Sequence, residues 1–208
     1  MRIKALQTYR NYWISLGVLL LSACTAPNEP SASITEHTQH AEIQIEIATN
    51  QGHMVVALDP NAAPLSVANF LEYVDAGFYD NLIFHRVISG FMIQGGGFDA
   101  SFQRQTTRQP IPNESDNGLS NVRGTIAMAR TQDPHSATSQ FYINLVDNPG
   151  LDARGRQAGY AVFGELSSGF EVLDAIGNVP TQTQSTPIGT MADVPTTAVL
   201  IHHIRRID

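Results

Sequence analysis

From residue 42 to residue 207 the chain is a succession of short strand-length runs, and only two stretches carry a helical period. Ile43, Ile45 and Ile47 alternate with Glu42, Gln44 and Glu46, the period-two pattern of a strand with one wet face. Gln51-Gly52 then turns the chain, and His53–Leu58 reads as the hairpin partner. Further strand-like runs fall at 82–88, 91–94, 124–129, 139–146, 161–165 and 196–207. Pro64 opens the first helix, with Val67, Phe70, Leu71 and Val74 on one face and Gly77 as its stop. The second covers 169–176, with Phe170, Leu173 and Ile176 inward and Gly177 closing it. Short, mostly antiparallel strands with two helices predict a mainly β domain, either a barrel or a sandwich with helices at its ends. The pattern alone does not separate those two.

The residues before this domain read as an address. Arg2, Lys4 and Arg10 form a basic flank, and residues 13–21 form an apolar run too short for a permanent membrane helix, the signature of an export signal. It ends Leu21-Ser22-Ala23-Cys24, which resembles a bacterial lipobox. That resemblance implies cleavage before Cys24 and lipidation of its thiol. The expected organisation is a lipoprotein signal peptide over 1–23, a lipidated cysteine and flexible tether over 24–41, and a folded domain over 42–208. Thr25 after the cysteine, in place of aspartate, resembles outer-membrane lipoproteins facing the periplasm. An ordinary cleaved signal with an incidental cysteine is the alternative. Cys24 is the one cysteine, so neither an internal disulfide nor a zinc cluster is available to it. His37 and His40, in the proline-containing tether, read as solvated rather than metal-binding. Loss of the three basic residues in 1–23, which contain no acid, takes the net charge from −7 to −10. Nucleic acid is excluded as a partner on that charge.

Three segments carry a resemblance to a known family. Residues 84–97, Phe-His-Arg-Val-Ile-Ser-Gly-Phe-Met-Ile-Gln-Gly-Gly-Gly, closely resemble the signature of cyclophilin-type peptidyl-prolyl cis–trans isomerases. Gly124–Arg130 through Ser139–Asn144, and then Gly159–Leu166, resemble the family's second and third active-site stretches in order and spacing. Within the family the chain looks like the bacterial periplasmic branch. The resemblance implies an eight-stranded antiparallel barrel capped by two helices, with the site in a groove on its outer face. It implies Arg86 as the catalytic arginine, with Gln94 and Phe91 beside it. Phe91, Met92 and Phe141 would line an apolar pocket for proline, and Gln94 and Gln140 would bind substrate backbone. Ala129 and Arg130 would flank the groove, while Tyr142, Leu151 and Tyr160 would form its wall. Gly150 stands where many relatives carry an aromatic that contributes to cyclosporin binding, which puts drug sensitivity in question.

The residue types suit that chemistry. An X–Pro amide rotates slowly because resonance stiffens its C–N bond. Catalysis requires tighter binding of the twisted state than of either planar isomer, and no cofactor or metal. Arginine supplies a charged, rigid fork at any working pH. Taken singly, Phe91-Met92-Ile93 would be core, Arg86 a surface ion-pair partner and His85 a structural histidine tied to backbone. Gly95-Gly96-Gly97 lacks the Lys-Ser/Thr of a phosphate loop and reads as a place of tight backbone. The expected partners are proline-containing polypeptides and, through Cys24, a membrane, with the protein a monomer. A non-catalytic chaperone or adhesion module on the same fold is the rival reading.

Overall fold

The computed structural model describes residues 43–207, so the export signal, Cys24 and the tether with its two histidines lie outside the described residues. β1 (Ile43–Thr49) and β2 (Gly52–Leu58) form the expected hairpin, with Ile43 opposite Leu58 and Thr49 opposite Gly52. Ile45 and Ile47 are fully buried, as the alternation requires. Helix α1 (Pro64–Asp75) follows, then β3 (Leu82–Ile88), β4 (Met92–Asp99), β5 (Thr125–Met128), β6 (Phe141–Asn144) and β7 (Val162–Ser168). Helix α2 (Phe170–Gly177), β8 (Thr181–Thr186), β9 (Gly189–Pro195) and β10 (Val199–Ile207) complete the domain.

Eight strands close into one antiparallel barrel in the order β1-β10-β3-β4-β6-β5-β7-β2, which settles barrel against sandwich. An eight-stranded barrel has an interior just wide enough for side chains. Here Phe84, Phe141, Phe163, Ile93 and Ile126 fill it. Val67, Phe70, Leu71 and Val74 of α1, and Val172, Leu173 and Ile176 of α2, belong to the same core. Phe70 meets Phe141 edge-on at 5.5 Å and Phe163 at 5.1 Å. Burying each such ring contributes about 1.5–3 kcal/mol relative to exposure.

The helix ends are satisfied from a distance. Ala63 offers no side-chain cap to α1. The backbone N–H groups of Leu65 and Ser66 instead donate to the Glu114 carboxylate at 2.9 and 2.7 Å. That places an acid at a helix N-terminus, where the dipole favours it. Gly169 starts α2 at φ +88, and a Cβ there would stand 2.5 Å from the His53 carbonyl oxygen. Gly177 does not sit beyond α2 as a stop. It is the last helical residue and lies against Leu145, while Asn178 caps the end through bonds to the Asp174 carbonyl.

Two features depart from expectation. β4 continues past residue 94 through three glycines to Asp99, because its backbone pairing does not need side chains. The β8–β9 hairpin was not expected at all. β8 reads Thr-Gln-Thr-Gln-Ser-Thr, with four of its six residues exposed and none buried, and so lacks an apolar alternation. The hairpin forms its own two-stranded sheet, anchored by Val194 and Met191 against Ile83, Phe98, Phe102 and Leu200.

Candidate active site

Strand parity divides the barrel wall between core and site. In β4, Ile93 points into the core, while Met92 and Gln94 face outward. In β6, Phe141 and Ile143 point in, and Tyr142 and Asn144, paired with Gln94 and Met92, point out. β3 needs a correction to join them. Leu82 and Phe84 face the core, so strict alternation would send Arg86 inward. Between Phe84, paired with Gly95, and Arg86, paired with Gln94, β3 takes two steps to one on β4. This bulge turns Arg86 onto the outer face beside Gln94, and Val87 returns to the core. Bulges are a common device for re-aiming one side chain.

Around these residues lies an outer apolar cluster separate from the barrel core. Met92, Ala127, Tyr142 and Val162 form its buried floor. Ile88, Phe91, Leu119, Ala129, Leu151 and Tyr160 are half-buried at its rim. Gln94 Nε2 donates to Gln140 Oε1 at 3.0 Å, joining the polar side of the groove. The glycine run makes room for that pair. A Cβ on Gly97 would stand 2.7 Å from the Gln140 side chain, and one on Gly96, at φ +81, 2.9 Å from the Ser139 carbonyl oxygen.

Asparagines hold the rim in place. Asn121 is 1% exposed, and its Oδ1 accepts from the Tyr142 hydroxyl at 2.6 Å and from Asn144 Nδ2 at 3.3 Å. Its own N–H and Nδ2 donate to Asp152 Oδ1 at 2.7 and 2.8 Å, fixing the residue after Leu151. Asn148 Nδ2 donates to the Phe91 carbonyl at 2.9 Å and to Asn144 Oδ1 at 2.7 Å. Burial would raise the Asp152 carboxyl, but the Asn121 bonds, with Ser120 and the charge of Arg154 adding, hold the group below the usual carboxylate value. Burial, with Tyr160 and Asp152 adding, pushes the Tyr142 phenol well above its ordinary value, so it stays a donor.

Not every expected residue reaches the groove. Phe141 is fully buried in the barrel core against Phe70, Tyr79 and Phe84, and cannot line a proline pocket. Its neighbour Tyr142 lies in the outer cluster instead. Arg130 commits its guanidinium to backbone carbonyls and to the Tyr160 ring. Nε donates to the Gly159 carbonyl at 3.0 Å, the two terminal nitrogens to Ala158 and Thr131, and the group lies 4.4 Å over the Tyr160 ring. Gly150 is exposed with open space where a Cβ would stand. His85 is buried edge-on to Phe98, and its Nδ1 has no hydrogen-bond partner. Asn121, Asn144, Asn148 and Asp193, which lies 3.5 Å from Arg86 Nε, were not anticipated. Asn121 and Asn148 fall in polar loops and Asp193 in the unexpected strand β9, while Asn144 ends β6 in a motif segment without being singled out. Among the described residues no group of three or more His, Cys, Asp or Glu side chains could hold a metal.

The profile of the family described as cyclophilin type peptidyl-prolyl cis-trans isomerase/CLD matches residues 44–205. The chain belongs to that family. Among bacterial relatives of this cyclophilin, peptidyl-prolyl cis-trans isomerase A of Dickeya dadantii is 48% identical, over 77% of this chain and 83% of the relative. Isomerase B of Escherichia coli K12 is 50% identical, over 75% and 94%. With relatives at about that identity over most of the domain, this cyclophilin is a peptidyl-prolyl cis–trans isomerase. A Cryptosporidium parvum cyclophilin structure, determined in the presence of the dipeptide Ala-Pro, superposes with a TM-score of 0.65 at 28% identity. The match covers 79% of this chain and 99% of that one.

Proposed function

We propose that this cyclophilin rotates X–Pro bonds in polypeptides of the bacterial envelope, with Arg86 as its catalytic group and Cys24 as a lipid anchor holding it at the periplasmic face of the outer membrane. Support for the chemistry comes from one juxtaposition: the β3 bulge brings a guanidinium onto the outer face beside Gln94, where an apolar cluster gathers around Met92 and Tyr142.

The proline ring sits on Met92 and Tyr142, walled by Phe91, Leu151 and Tyr160. Gln94 and Gln140 hold the flanking backbone. As the amide twists, its nitrogen becomes pyramidal and gains a lone pair, and Arg86 donates to it. The donation weakens amide resonance, and the apolar surroundings strengthen the charge by excluding water. No bond between heavy atoms breaks, so no nucleophile takes part. The envelope assignment rests on the basic flank, the apolar run and Leu21-Ser22-Ala23-Cys24. Several acyl chains on one cysteine give stable attachment where a single chain does not.

Replacing Arg86 by alanine should lower kcat and kcat/KM together, with peptide affinity little changed. The expected loss is about 3 kcal/mol, a hundredfold or more, by analogy with removal of one charge-stabilising donor. The fold should survive, since the Arg86 side chain is 41% exposed and outside the core. A folded Arg86→Ala protein of near-normal activity would remove Arg86 from the mechanism. A wild-type protein that binds X–Pro peptides without accelerating them would make the domain a binding module.

A further inference from the structure

The β8–β9 hairpin takes no part in closing the barrel, yet it delivers a carboxylate to the proposed catalytic group. We infer that Asp193 is a positioning residue for Arg86, and that the hairpin carrying it belongs to the isomerase machinery. The inference rests on the reading of Arg86 given above.

Arg86 leaves the barrel wall half-exposed on a long side chain with four rotatable bonds. Such a chain does not hold one rotamer unless something grips it. Among the described residues its one ionic partner is Asp193, whose Oδ2 lies 3.5 Å from Nε. A carboxylate held near Nε draws that edge of the guanidinium toward the hairpin and leaves the two terminal nitrogens to face the groove.

The Asp193 end of the contact is held on both sides. Met191 and Val194, the latter 2% exposed, pack the hairpin onto Ile83, Phe98 and Phe102. Phe98 in turn meets the ring of His85, the residue before Arg86, at 4.8 Å. Asp193 itself has φ +61, a left-handed backbone where glycine is the least strained choice and Asn and Asp are tolerated. The site therefore keeps a carboxylate at a position whose backbone would be easier without one.

Stability does not account for the pair. Both side chains are about two-fifths exposed, at 41% and 39%. Ion pairs that exposed add little to folding. Orientation does account for it. Misplacing a catalytic group by an ångström can cost on the order of a hundredfold in rate, and loosening one that still visits the right pose costs less.

The test uses Asp193→Asn and Asp193→Gly, both compatible with the left-handed backbone, measured by line-shape and exchange NMR on a saturating X–Pro peptide. Each should lower kcat about tenfold, leave KM within about twofold and leave the melting temperature unchanged. In Arg86→Ala, where there is no guanidinium to position, adding Asp193→Asn should change nothing further. Wild-type or higher kcat in the two single variants would overturn the inference, as would a further loss when Asp193→Asn is added to Arg86→Ala. A rise in KM equal to the loss in kcat/KM would also overturn it, by making Asp193 a substrate contact. If Arg86→Ala alone proves fully active, the failure belongs to the reading of Arg86 and shows directly in that variant.

Discussion

Replacing His85 by phenylalanine should change how the fold answers to acid. The imidazole is 2% exposed and its Nδ1 has no hydrogen-bond partner. Burial, reinforced by the charge of Arg86, lowers its pKa from 6.5 to about 4. In the unfolded chain the ring regains the ordinary value. The folded pKa is therefore the lower one, and between pH 6.5 and about 4 the unfolded chain binds a proton that the native protein refuses. Stability must then fall as pH drops through that window and be constant above it. At about 1.4 kcal/mol per pH unit the loss reaches about 2.5 kcal/mol by pH 4.5 and about 3 kcal/mol near pH 4. The carboxylates Asp75, Asp80 and Asp152 are held below their ordinary 3.8, so their contributions are lost only at more acid pH. Urea unfolding followed by circular dichroism at pH 7.5, 6.5, 5.5 and 4.5 would measure the difference between wild type and His85→Phe. Any overpacking by the larger ring shifts the whole variant curve, by about 1–3 kcal/mol, and leaves its slope unchanged. The remaining histidines are common to both proteins and cancel in the difference. Parallel curves from pH 7.5 to 4.5 would refute the reasoning.

Gly97→Ala should keep the fold but lower activity, because the new Cβ stands 2.7 Å from the Gln140 side chain and must push it off Gln94; unchanged kcat/KM would show that the Gln94–Gln140 bond is dispensable. Cys24→Ala should abolish incorporation of radiolabelled fatty acid and leave an uncut or soluble form, and equal label in both proteins would end the lipoprotein reading. Gly150→Trp should tighten cyclosporin by more than tenfold, about 2 kcal/mol for one aromatic contact in a desolvated pocket. The Cβ enters open space there, so the substitution should not disturb folding, and calorimetric titration of both proteins measures the effect.

The parts legible from sequence are those where one physical term dominates. The β1–β2 hairpin followed from alternation and a glycine turn, and α1 from Pro64 and its apolar stripe, because burial on one face leaves a period. β8 left none, since neither face is covered and backbone pairing to β9 holds it. Arg86 and Gln94 were singled out through a motif rather than a pattern, and the structure sets them side by side on the outer face. Phe141 was misplaced because an aromatic in a motif says nothing of which face it takes; the register of β6 against β4 decides that. The asparagine network was invisible for a related reason. Asn121, Asn144 and Asn148 lie 23 and 4 residues apart in sequence, and only the closed barrel brings their side chains together.

Parity also explains why the groove and the core can be altered separately. The interior of an eight-stranded barrel is filled by its own side chains, so a site for a peptide must lie outside. Along β6 the residues alternate between the two tasks, Phe141 and Ile143 for packing, Tyr142 and Asn144 for the groove. A strand with strict alternation offers only every second position to the site, and in β3 those positions do not include 86. The bulge changes that with one extra residue and no loss from the core, since Phe84 and Val87 both stay inside. His85, one step before Arg86, keeps the outward side it shares with Ile83, buried against Phe98 with Nδ1 unpartnered. An orphaned buried acceptor costs about 1–3 kcal/mol. A β3 with regular alternation would send Arg86 toward the core and leave His85 where it is, so the acid sensitivity of His85 and the exposure of Arg86 are separable, and only the second depends on the bulge.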